Sequence, residues 1–132
     1  MKHFTIYNSD GNIKRSGWCS EDDYAFQPQV GEFILEGNFS PLDYYILNDL
    51  PELRPAQPTT LNKLTLTADG IDTITISNAP NGIFTATNTT THETVSGAIN
   101  GTDTFSTTIQ GTYKIKIESW PFLGFEATIN GI

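Results

Sequence analysis

The chain has 132 residues, room for one ordinary domain or two small ones, and with 11% aromatics and only 17% charged residues it is not a disordered, charge-rich polymer. Fifteen acidic against seven basic residues give a net charge of −8. The cations are scattered from Lys14 and Arg15 to Lys114 and Lys116, which excludes the clustered basic face that nucleic acid or an anionic membrane requires.

No apolar run approaches the roughly 18 residues of a membrane span. The opening Met1-Lys2-His3-Phe4-Thr5 lacks the apolar core of a secretory signal. The single cysteine, Cys19, forbids an intrachain disulfide and suits synthesis in a reducing cytosol; Glu21, Asp22 and Asp23 nearby disfavour a reactive thiolate.

In chain order, residues 4–7 alternate, 8–12 turn through Asp10-Gly11, and 13–16 return, which predicts a β-hairpin. Residues 18–30 look irregular. Residues 32–36 form a further strand bracketed by Gly31 and Gly37. Ser40-Pro41-Leu42-Asp43 resembles a helix start, but the strand formers Tyr44-Tyr45-Ile46-Leu47, soon stopped by Pro51, favour a short strand. Two prolines in residues 54–60 predict an extended linker, dividing the chain into a β segment at 1–57 and a domain at 58–132.

The second part is rich in Thr and offers strands at 63–68, 72–77, 82–87, 93–96 (weak), 104–109, 112–119 and 125–129. Asp69-Gly70, Asn81-Gly82, Asn100-Gly101 and Gln110-Gly111 are read as the turns between them. Period-two alternation points Leu64, Leu66, Ile74, Ile76, Phe84, Ala86, Phe105, Tyr113, Ile115, Ile117, Phe125, Ala127 and Ile129 inward. The fold class is all-β: an N-terminal β-hairpin docking segment followed by an immunoglobulin-like β-sandwich, with a small barrel as the other architecture this spacing allows.

Two resemblances bear on this reading. Gly111-Thr112-Tyr113-Lys114-Ile115 resembles the sixth strand of an immunoglobulin-like domain, which implies that Tyr113 hydrogen-bonds back across the corner and that Ile115 stands at a disulfide cysteine's position. The run Thr67-Ala68-Asp69-Gly70-Ile71-Asp72-Thr73-Ile74-Thr75-Ile76 is similar to the opening hairpin of bacterial and phage domains of that kind. In the first part, the turn at residues 7–13, Leu35-Glu36-Gly37, Tyr44-Tyr45-Ile46 and Arg54-Pro55 resemble the N-terminal segment of small tailed-phage virion proteins. That resemblance implies a virion location after synthesis in the bacterial cytoplasm, with capsid, portal or tail proteins as partners and oligomerisation on the particle.

The residues themselves carry little chemistry. His3 and His92 are the only histidines, and no nucleophile, base and acid cluster in sequence, so no catalytic residue and no enzyme are expected. Glu21-Asp22-Asp23 and Asp69 with Asp72 lack the ligand spacing of a calcium loop, and no metal or cofactor is expected. Three glycosylation sequons, at Asn38, Asn88 and Asn100, are about what composition produces by chance.

Two features point to surfaces. The first part holds more large apolar side chains than two hairpins can hide, so Phe4, Ile6, Tyr7, Trp18, Tyr24, Phe26, Phe33 and Leu35 are expected to dock on a partner. The Trp120-Pro121-Phe122-Leu123 segment between the last two strands is unusually apolar, and Trp120, Phe122 and Leu123 are expected to close the sandwich end or pack on the first part, to form a contact loop, or to offer a sugar-stacking platform. The expected role is a non-enzymatic virion component, a head decoration or a tail, fibre or adaptor protein. A carbohydrate-binding module that stacks an exposed aromatic on a host-surface glycan is one alternative, and an assembly chaperone absent from the mature particle is another.

Overall fold

The structure, a computed structural model, describes residues 1–132, and it is all-β apart from one short 3-10 helix. It divides into two compact units, Met1–Arg54 and Pro55–Ile132.

The first unit is built on a three-stranded antiparallel sheet of β1 (Lys2–Asn8), β2 (Ile13–Cys19) and β3 (Glu32–Glu36), with β1 in the middle. The predicted hairpin forms, and β2 runs on to include Trp18 and Cys19. A bulge between Ile6 and Tyr7 lets Tyr7 pair with Ile13. The stretch expected to be irregular contains a 3-10 turn, Glu21–Phe26, capped by the Ser20 hydroxyl on the Asp23 N–H. A second hairpin joins β4 (Tyr44–Leu47) to β5 (Leu50–Leu53). Its turn is Asn48-Asp49, with φ of +52° and +62°, the left-handed pair that matches strand twist and that Asn and Asp tolerate best. Pro51, read as a strand stop, lies within β5, which pairs only with β4 and needs no ladder donor on its free edge.

Both faces of β1 are covered, because Phe4, Thr5, Ile6 and Tyr7 are all buried. On the Thr5–Tyr7 face, Tyr7, Ile13 and Ile46 form the core, with Leu35, Phe39 and Tyr44 packed against them. On the other face the 3-10 turn is tied down: Lys2 Nζ sits 4.4 Å from the Tyr24 ring centroid, and Arg15 donates to the Gln27 carbonyl.

The second unit is a β-sandwich made from β6 (Thr60–Leu61), β7 (Thr65–Leu66), β8 (Ile74–Asn88), β9 (Thr94–Phe105), β10 (Gly111–Glu118) and β11 (Phe125–Gly131). Its two longest strands form one bent hairpin. The outer part of β8 pairs with β9 and β10, while its first residues pair with β6 and the end of β9. The bends fall where the ladder slips, between Ile76 and Gly82 on β8, with Asn78 at φ +58° and Gly101 at φ +88°. Asn81-Gly82 and Asn100-Gly101 are therefore not turns. They are bulges at which one hairpin crosses from one layer to the other. Gly82 is required there, since a Cβ would run into the Glu118 carbonyl oxygen.

The first strand of this unit is likewise split. β6 pairs with β8, and β7 runs parallel to β11 in the other layer. The crossing between them resets the alternation, so Leu61 and Leu66 face the core and Leu64, expected inside, is exposed. Ile74, Ile76, Ala86, Phe105, Tyr113, Ile115, Ile117 and Ile129 are buried as the alternation predicts, with Phe84, Phe125 and Ala127 partly buried against them. Ile74 and Ile115, from opposite layers, share one core cluster.

Candidate functional site

The corner expected at the start of β10 is present. The Tyr113 hydroxyl donates to the Ile109 carbonyl at 2.6 Å and lies 2.8 Å from the Thr107 hydroxyl. It pins the 106–110 connection to the sandwich end. This is architecture rather than chemistry.

The expected docking residues separate into two groups. Phe4, Ile6 and Tyr7 lie inside their own unit and present nothing to a partner, because β1 is the central strand and is covered on both faces. Tyr24 and Leu35 are half-buried. Trp18 at 62% exposed, Phe26 at 82% and Phe33 at 48% are outward, as are Val30, Leu42, Leu50 and Leu53. Trp18 stacks on His3 with ring centroids 4.1 Å apart.

In the second unit Trp120 and Leu123 are exposed and Phe122 is half-buried, and the Trp120–Pro121 peptide is cis. This loop is anchored by the residues that open the unit. Leu123 N–H donates to the Pro55 carbonyl, and the Gln57 amide donates to the Leu123 and Ile117 carbonyls. The proline-rich stretch read as linker is therefore held against the sandwich from Pro55 onward.

The acidic turn at 69–72 is engaged internally. Asp69 Oδ1 accepts from the N–H groups of Ile71 and Asp72, and Asp72 accepts from Lys63 Nζ at 2.6 Å and from the Thr67 N–H. These bonds hold both carboxyls below their ordinary range. No group of three or more His, Cys, Asp or Glu side chains is placed so that it could hold a metal ion.

A site that the sequence did not disclose lies in the first unit. The β1–β2 turn and the β4–β5 turn meet, and a cleft of about 360 Å³ opens between them, lined by Tyr7, Asn8, Ser9, Phe33, Asn48 and Asp49. Gly11, at φ +85°, allows this approach: its carbonyl accepts from the Ile46 N–H at 2.9 Å, and any Cβ would collide with the Ile46 carbonyl oxygen. Asn8 Oδ1 closes the first turn by accepting from the N–H groups of Asp10 and Asn12. Across the cleft, the Tyr7 hydroxyl donates to Asp49 Oδ1 at 2.9 Å. Burial, reinforced by the Asp49 carboxylate, pushes the Tyr7 hydroxyl up to about 12, so it stays a donor at neutral pH. The Phe33 ring flanks Tyr7, with centroids 5.7 Å apart and planes tilted by 31°. The signal available in the sequence was Asn48-Asp49 between Leu47 and Leu50, a hairpin turn hidden by the proline that follows.

No protein-family model and no curated protein matches the chain. Two solved structures of glycosyl hydrolase family 2 members from Bacteroides cellulosilyticus align with it at 10% identity, covering 98% and 96% of this chain with TM-scores of 0.37 and 0.35. The chain spans only 21% and 22% of their lengths. A similarity this low assigns no activity. Fold and site together define a two-unit all-β protein with an apolar-rich first unit and a sandwich behind it in sequence.

Proposed function

We propose that the chain is a non-enzymatic structural component of a tailed-phage particle, attached through its first unit and presenting the immunoglobulin-like sandwich. The observation that carries this reading is the surface of the first unit, where Trp18, Phe26, Val30, Leu42, Leu50 and Leu53 are all more than half exposed. A unit this small gains by covering such side chains, and aromatic anchors are the residues that dominate interface energetics. The outer edges of β2 and β3 are unpaired, which adds backbone groups for strand addition. The resemblance of the first part to tailed-phage virion proteins supplies the setting, and repetition over symmetric sites would add avidity to a modest single contact.

The test is quantitative mass spectrometry of purified particles, with copy number scaled to the major shell protein. The reading expects a fixed number of copies per particle, and particles lacking the chain should rebind the wild type but not a Trp18→Ser/Phe26→Ser variant. Both side chains are exposed, so that variant keeps its fold. Mature particles without the chain would end the structural reading and favour an assembly factor.

A further inference from the structure

We propose that the cleft between the β1–β2 and β4–β5 turns binds a neutral pyranose sugar. The site is already formed, since the Gly11–Ile46 backbone contact and the Tyr7–Asp49 hydrogen bond hold its two walls together. Binding therefore needs no ordering of loops. One wall is apolar: the Phe33 ring is about half exposed and is backed by the Tyr7 ring.

The rim is polar and uncommitted. Asp49 gives one carboxylate oxygen to Tyr7 and keeps the other, while the Asn48 amide and the Ser9 hydroxyl have no intrachain partner. The Asn8 carbonyl oxygen is engaged by its own turn, which leaves its NH2 group available.

A pyranose ring fits this inventory better than the other small-molecule classes. Its C–H face packs on an aromatic ring, and its hydroxyls each donate and accept, so they pair with a carboxylate and with amide NH2 groups together. An ammonium ligand would use Asp49 and the rings but leave the amide donors with nothing to bind. An anionic ligand meets the Asp49 carboxylate on a chain of net charge −8. The volume, about 360 Å³, sits at the small end of ligand pockets and suits one ring with its substituents. The inference is independent of the particle role, because it concerns a small soluble ligand rather than a particle surface.

The test is a titration of the full-length, nitrogen-15-labelled chain by amide chemical-shift mapping. The probes are the methyl glycosides of D-glucose, D-galactose and D-mannose, N-acetyl-D-glucosamine, and tetramethylammonium chloride as the cationic control. At least one sugar should give saturable shifts concentrated at residues 7–9, 33 and 46–49, with a midpoint on the order of millimolar. Phe33→Ala and Asn48→Gly should each weaken that binding by about tenfold or more. Glycine at 48 keeps the left-handed turn, and the spectrum itself reports whether either variant is folded. Three results would overturn the proposal: no saturable shift with any of the four sugars, shifts that persist unchanged in both folded variants, or shifts with tetramethylammonium alone.

Discussion

Replacing Tyr113 by Phe isolates what the corner hydroxyl contributes to the sandwich. The ring stays in place, edge-on to Phe105 with centroids 5.4 Å apart, so the packing of the core is preserved. What is lost is the 2.6 Å bond to the Ile109 carbonyl and the contact with the Thr107 hydroxyl. A typical net hydrogen bond is worth about 0.5–1.5 kcal/mol. The Thr107 hydroxyl also lies 3.3 Å from the Ile109 carbonyl and can take over part of the lost donation. The expected cost is therefore about 1 kcal/mol, or a fall in melting temperature of about 4–8 °C for a unit of this size. The assay is urea unfolding in a Trp18→Phe background, where Trp120 is the remaining tryptophan and reports the second unit. The midpoint should fall with an unchanged slope. Ile117→Ala, at a position with no exposure, calibrates the scale at about 3 kcal/mol or more. A Tyr113→Phe midpoint within error of its parent, while Ile117→Ala shows its full loss, would refute the claim that the corner bond stabilises the fold.

Three further outcomes follow from the same reasoning. Tyr7 has its proton held more tightly in the folded chain, at about 12 against an ordinary 10.0, so its contribution is complete below pH 10 and is lost as pH rises towards 12. Alkaline unfolding of Tyr7→Phe should lack that component, which denaturant melts at pH 8 and pH 11 would reveal. Gly11→Ala places a Cβ on the Ile46 carbonyl at a left-handed φ; it should cost about 3 kcal/mol or more and unfold the first unit, read as loss of its amide dispersion, while Gly31→Ala, at φ +81° with open space around it, should cost only about 1 kcal/mol. Asp72→Asn should lower the melting temperature at pH 7, where the carboxylate holds Lys63 and Thr67, and the gap to wild type should close as pH falls below 3.8 through the depressed folded value; a gap that persists in acid would mean the effect is not electrostatic.

The sequence by itself determined the local elements. Alternation placed Ile74, Ile76, Tyr113, Ile115, Ile117 and Ile129 on inner faces, because a strand's period of two is a property of each strand alone. It also located the Asp10-Gly11 turn, where a left-handed residue is needed, and the Tyr113 corner, whose partners lie within six residues of it. Only the tertiary structure decided which layer each segment joins. Asn81-Gly82 and Asn100-Gly101 carry the chemistry of turns, and they became bends in two long strands because partners on β6, β9 and β10 hold both sides of each bulge. Leu64 faces solvent because its strand changes sheets beside it. Phe4, Ile6 and Tyr7 look like a docking surface until both faces of β1 are covered by segments distant in sequence. The cleft has the same origin: Tyr7, Phe33 and Asp49 stand far apart along the chain, and only the long-range pairing that brings two turns together gives them a common wall.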